Sequence, residues 1–191
     1  QEFDLALRKY ITKLDGVAVP TRNPVVDTAT IEDDKTATYS HRKDPIVVET
    51  NSVVTYNLTI YNEGDIAGRA TKIVDQLPTG LVSSTNNSSV VTSKGPNGEE
   101  RNKYNLQYDT TNNQIVLTLI QWPEELEQNS SEEGYVKDLK PYTTGKLDYE
   151  TIEIKCMVAQ EPDTQKDIIL TNVAWIAAAY DSEAQKEIST Q

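Results

Sequence analysis

Three polar residues interrupt three apolar rows. In "LALRKYI" strict alternation puts Leu5, Leu7, Lys9 and Ile11 on one face. In "KIVDQL" Ile73, Asp75 and Leu77 share a face, and in "LTNVAWI" Leu170, Asn172, Ala174 and Ile176 do. Burying any of the three unpaired is costly. Together they make chemical sense. Burial lowers a lysine pKa and raises an aspartic acid pKa, so a neutral amine beside a protonated carboxyl becomes the favoured pair. The amine is a nucleophile and the carboxamide a sluggish electrophile. The acid can polarise the amide oxygen and relay a proton to departing ammonia. The product is an isopeptide cross-link between Lys9 and Asn172, with Asp75 as its catalyst. Fixed positions in a dry core supply the effective concentration that free amides lack. Such a reaction runs once per chain, so no turnover enzyme is expected, and neither cofactor nor metal is needed.

Each residue taken alone has a plainer role. Lys9 could snorkel to a sheet edge. Asp75 could bond backbone amides before a turn. Asn172 could be a satisfied buried amide. The coincidence of the three, at the start, middle and end of the sequence, favours the joint reading.

Strands must position them. Period-two alternation dominates. It predicts strands over 4–12, "VVTYNLTIYN", "RATKIVDQL", "QIVLTLIQW" near 114–122, "DYETIEIKCMVA" and "DIILTNVAWIAAAYD". Turn residues follow at Asn62-Glu63-Gly64-Asp65 and at Pro78 and Gly80. Helical signals are weaker, the best being a short turn at 123–129 opened by Pro123. The segments 13–45 and 82–113 are polar and read as long loops with short edge strands. At least six strands with turns between them predict an all-β sandwich. One domain is expected over 1–191, and the abrupt strand-like ends read as a piece cut from a longer protein.

"VVTYNLTIYNEGD" followed by "ATKIVDQLPTGL" resembles the conserved-repeat domains of bacterial surface proteins. It is similar, too, to the D-type isopeptide-forming domains of Gram-positive fimbrial subunits and collagen-adhesin A-type modules. "FDLALRKYI" and "LTNVAWI" resemble their terminal strands. These motifs cover about a third of the chain. The resemblance implies an Ig-like, adhesin-type sandwich, with the lysine on the first strand (Lys9), the aspartate in the D-x-L-P strand (Asp75) and the asparagine on the last strand (Asn172). It also implies a stalk module of a surface adhesin or pilus, extracellular and held at the cell wall through parts of the protein outside this chain. Its partners would be neighbouring domains of the same chain, and possible ligands a host glycan or matrix protein. Leu77-Pro78-Thr79-Gly80 looks like a sortase sorting signal, yet no apolar span and basic tail follow it. It reads instead as a strand end, with Leu77 and Leu81 packed inward.

Composition narrows the rest. Thirty acidic residues against 18 basic give a net charge of −12, which repels phosphate backbones and anionic lipid. Neither nucleic-acid binding nor membrane insertion is expected. Cys156, the single cysteine, permits no internal disulfide and follows Ile152 and Ile154 at period two as a buried core thiol. Two rival functions stand beside the cross-linked stalk. One is a ligand-binding adhesin domain, with Trp122, the tyrosines and the loops 82–113 and 123–145 as its platform. The other is a calcium-stabilised sandwich using Asp27, Glu32, Asp33, Asp34, Glu63 and Asp65, although their spacing is not that of an EF-hand. A hydrolase is least expected, because His41 is the sole histidine and lies in a polar "SHRKD" stretch.

Overall fold

A computed structural model describes residues 2–85, 88–121, 136–159 and 169–189. Trp122, the turn expected at 123–129 and most of the 123–145 loop lie outside the described residues. The strands are β1 (Leu5–Leu14), β2 (Val17–Ala18), β3 (Val25–Asp27), β4 (Thr38–Ser40), β5 (Val53–Asn62), β6 (Gly68–Gln76) and β7 (Leu81–Ser83). They continue as β8 (Ser88–Lys94), β9 (Glu100–Asp109), β10 (Gln114–Leu119), β11 (Tyr149–Val158), β12 (Val173–Asp181) and β13 (Lys186–Ser189). A single helical turn, Ile31–Asp34, lies between β3 and β4. Among the described residues all the ladders are antiparallel, and the fold is an all-β sandwich.

One layer runs β13-β12-β6-β10-β9-β8 and the other β11-β5-β1-β2, with β7 on the end of β11. A single residue pair, Lys94 with Thr151, joins β8 to β11 and so links the layers. Alternation decides what lies between them. β5 contributes Val54, Tyr56, Leu58 and Ile60, and β11 contributes Ile152, Ile154 and Cys156. The facing layer supplies Ile73, Leu77, Tyr104, Leu106, Ile115 and Leu117. Leu5, Leu7 and Ile11 pack against this core, as the sequence predicts. Cys156 is fully buried, and burial pushes its thiol up to about 12, so it is an inert core residue.

The "LPTG" stretch ends a strand. β6 stops at Gln76, Gly80 takes a φ of +96°, and Leu77 and Leu81 are buried. The positive φ is what requires glycine there.

Two expectations need correction, the end of β1 and the segment 82–113. β1 extends to Leu14, past the expected end at residue 12, because a bulge at Thr12 restores the inward row. The segment 13–45 carries short strands, as expected: β2 on the edge beside β1, and β3 and β4 paired in a small sheet of their own. The segment 82–113, expected as loop with short edge strands, holds β8 and the ten-residue β9, which sits inside the layer between β8 and β10. Its inward row includes Ser93 and Asn102, which bury polar groups and so disguise the alternation.

Those polar groups converge on Glu150, which is fully buried. It accepts hydrogen bonds from Tyr104 Oη, from Ser93 Oγ at 2.7 Å and from Asn102 Nδ2 at 2.9 Å. Asn102 also donates to the carbonyl of Lys137 and accepts from its amide. A second latch is Glu63, which accepts from Thr36 Oγ1 at 2.9 Å, from the Ala37 amide at 3.0 Å and from Tyr39 Oη. It ties the β3–β4 excursion to the end of β5.

Candidate functional site

Lys9 and Asp75 come from opposite layers. Lys9 lies on β1 opposite Leu58 of β5, and Asp75 on β6 between Ile115 of β10 and Ala174 of β12. Their side chains meet in the core. Lys9 Nζ is 2.6 Å from both Asp75 carboxyl oxygens, with the lysine side chain 9% exposed and the aspartate side chain 0%. The plainer roles do not hold for either. Lys9 does not reach out to solvent, and the described partner of Asp75 is the lysine rather than a turn amide.

Asn172 sits one residue before β12, so it lies at the strand's entrance, and β13 follows as a further strand. Alternation keeps it on the face of Ala174, the neighbour of Asp75. Its carboxamide lies close enough to Asp75 and to Tyr56 to lower both their pKa values. Neither approach has the geometry of a hydrogen bond: Nδ2 and Oδ1 are both buried, and among the described residues neither has a hydrogen-bond partner. Asn172 is therefore not the satisfied buried amide of the plainer reading.

Burial moves both members of the pair toward their neutral forms. Burial pushes the Lys9 amine below its ordinary value, and the Asp75 charge and hydrogen bond oppose this only in part. Burial pushes the Asp75 carboxyl up, against the opposing effects of Lys9 and Asn172. An amine that loses its proton easily thus faces a carboxyl that holds one.

Two neighbours escaped the sequence reading. Tyr56 lies under Lys9, with Nζ 4.4 Å from the ring centroid. Cys156 is near enough to act on Lys9, and the Cys156 thiol in turn feels both Lys9 and Asp75. The signal for Tyr56 was its place in the inward row of Val54, Leu58 and Ile60, where a phenol stands among aliphatic side chains.

The other candidate chemistry does not assemble. Among the described residues no group of three or more His, Cys, Asp or Glu could hold a metal ion. The calcium set of Asp27, Glu32, Asp33, Asp34, Glu63 and Asp65 is thereby set aside, and Glu63 is occupied by its three donors. His41 has cations for electrostatic neighbours, Lys43, Arg8 and Arg22, and these add to burial in lowering its pKa. Among the described residues no helix is long and apolar enough to cross a membrane.

No protein-family model matches the chain, and no curated protein matches its sequence. Among solved structures it is similar to a collagen-binding domain from a Staphylococcus aureus adhesin. The identity is 13%, over 91% of this chain and 93% of that one, with a TM-score of 0.37. Overlap at that level does not establish a shared topology, and the chemistry of the site stands on its own residues.

Proposed function

We propose that this chain is a structural stalk module of a bacterial cell-surface adhesin or pilus, stabilised by an isopeptide bond between Lys9 and Asn172. One observation carries the reading: Lys9 Nζ lies 2.6 Å from both oxygens of a buried Asp75, with an unbonded carboxamide beside the same carboxyl. Leaving both polar atoms of an amide buried and unmet costs about 1–3 kcal/mol per group, which a purely structural asparagine would avoid.

The neutral amine of Lys9 attacks Cγ of Asn172, forming the C–N bond. The Asp75 carboxyl donates its proton to the amide oxygen as negative charge develops there. The resulting carboxylate takes a proton from the attacking nitrogen and delivers it to Nδ2. The C–Nδ2 bond breaks, ammonia leaves, and the carboxyl regains its proton as the carbonyl re-forms. Asp75 ends as it began. The reaction occurs once, within one chain, without cofactor.

Intact mass measurement tests the reading. The purified protein should weigh one ammonia less than its sequence, and a full unmodified mass would end the claim. The module would face the extracellular medium, carried by neighbouring domains of its own chain.

A second reading, a ligand-binding adhesin domain, is favoured by one feature. An open groove of about 480 Å³ lies between the β3–β4 excursion and the main sandwich, lined by Tyr10, Tyr61, Tyr149, Pro24 and Val26 among others. A host glycan or matrix protein is the class of ligand to test, by glycan array and by binding to immobilised matrix proteins. Cross-link and ligand can coexist in one module.

A further inference from the structure

We infer that the groove between the β3–β4 excursion and the main sandwich is a binding site for an uncharged saccharide. The inference rests on the ligand-binding reading above and names the class of ligand that the groove takes.

The floor is the outer face of the layer β11-β5-β1. Alternation turns Tyr10 of β1, Thr59 and Tyr61 of β5, and Tyr149 and Thr151 of β11 away from the core. Tyr61 stands opposite Tyr149, and Thr59 opposite Thr151. Their hydroxyls join across the strands: Tyr10 Oη lies 3.1 Å from Thr59 Oγ1, which lies 2.9 Å from Thr151 Oγ1. The excursion makes one wall, with Asn23 and Thr28 on it, and the chain at Gly145 and Leu147 adds to the lining. The walls are fixed. Thr144 Oγ1 donates to Glu32 at 3.0 Å, and Glu63 latches the excursion to the end of β5. Tyr39 packs its ring 4.9 Å from that of Tyr61. The groove is therefore largely formed before a ligand arrives, and its volume of about 480 Å³ falls in the usual range of small-molecule sites.

The lining selects the ligand. None of the nine residues that line the groove is charged, although 25% of the chain is. A charged ligand would find no counter-ion there, and an anionic one would also meet a net charge of −12. Neutral polar groups are plentiful: three phenols, the Thr28 hydroxyl and the Asn23 carboxamide. Each both donates and accepts, which is what the hydroxyls of a sugar ring require. Burial, and after it the Tyr10 phenol, pushes the Tyr61 and Tyr149 pKa values up, so these hydroxyls stay protonated. A proline-rich peptide fits less well, because it docks on open aromatic faces. Tyr61 has rings on two sides, Tyr39 at 4.9 Å and Tyr149 at 5.4 Å, and is buried.

An array of uncharged oligosaccharides, with sialylated and sulfated ones beside them and immobilised matrix proteins in parallel, tests the assignment. Calorimetric titration then gives the affinity for each glycan that binds. Binding to uncharged glycans is expected. Tyr149→Phe removes one phenolic hydroxyl and keeps the ring. Asn23→Ala removes the carboxamide from an exposed position on the wall. Each should weaken binding about 2- to 10-fold, the scale of one neutral hydrogen bond, with melting unchanged.

Full affinity in both variants, or binding to charged glycans alone, would overturn the assignment while leaving a ligand-binding module. Binding to matrix proteins alone would also overturn the saccharide and keep that reading. A chain that binds neither glycans nor matrix proteins would overturn both. If Tyr149→Phe does not fold, Asn23→Ala decides alone: a weakened affinity supports the site and an unchanged one overturns it.

Discussion

Lys9→Arg separates charge from nucleophilicity. A guanidinium can still face Asp75, but it does not give up its proton in a protein. The variant should fold and show the full unmodified mass. Asp75→Asn should also halt ammonia loss, by about 10²–10⁴-fold, the usual worth of a positioned acid–base group; time-resolved mass spectrometry reads this directly. The positions of Lys9 and Asp75 were legible because a charge in an apolar row at period two has few places to go. Tyr56 was not. A tyrosine in a core row reads as packing, and only the adjoining strand, which brings Lys9 Nζ over its ring, shows what it touches.

At the level of strands, the two buried glutamates hold what apolar packing does not. Glu150 gathers β8, β9 and β11, together with the chain at Lys137. Burial raises its pKa above the ordinary glutamate value, against the lowering effect of its three donors. The folded state therefore holds that proton more tightly than the unfolded chain. It follows that this group's contribution to stability falls as pH rises from about 4.5 through the raised folded value. Glu150→Gln keeps the group neutral at every pH and removes the titration, so the wild type should lose stability relative to the variant as pH rises through that window. Urea midpoints measured across the range check it. Glu63→Ala should free the β3–β4 excursion, whose amide and hydroxyl donors lose their acceptor. Proteolysis should then become faster within 25–40 while the main sandwich stays intact. Strands with clean alternation, β5 and β11 above all, could be read from sequence to within a residue or two of their ends. β8 and β9 could not, because Ser93 and Asn102 occupy inward positions for the sake of a glutamate some fifty residues away, a dependence that no local window contains.

For the molecule as a whole, the cross-link would enclose most of the chain. By analogy with a disulfide, closing so long a loop stabilises by about 4–5 kcal/mol through the unfolded state. For a domain of this size that corresponds to roughly 10–20 °C in melting temperature. Asn172→Ala should lose that much by calorimetry, provided the wild-type protein has reacted. Pulled from its two ends, the cross-linked domain should lengthen only by the short stretches beyond Lys9 and Asn172, whereas the Asn172→Ala variant should unravel fully.

The single Lys94–Thr151 pair gives that load path a direction. Among the described residues the two layers share one backbone pair at one margin, reinforced by the hydrogen bonds that Glu150 of β11 accepts from β8 and β9, while β1 and β12 pass close by each other without pairing. A book bound along one edge opens at its free margin, and Lys9, Asp75 and Asn172 sit where β1 faces β6 and β12, between the covers. A covalent clasp there would turn two leaves that can part into a closed ring, so that tension along the chain squeezes the layers instead of peeling them.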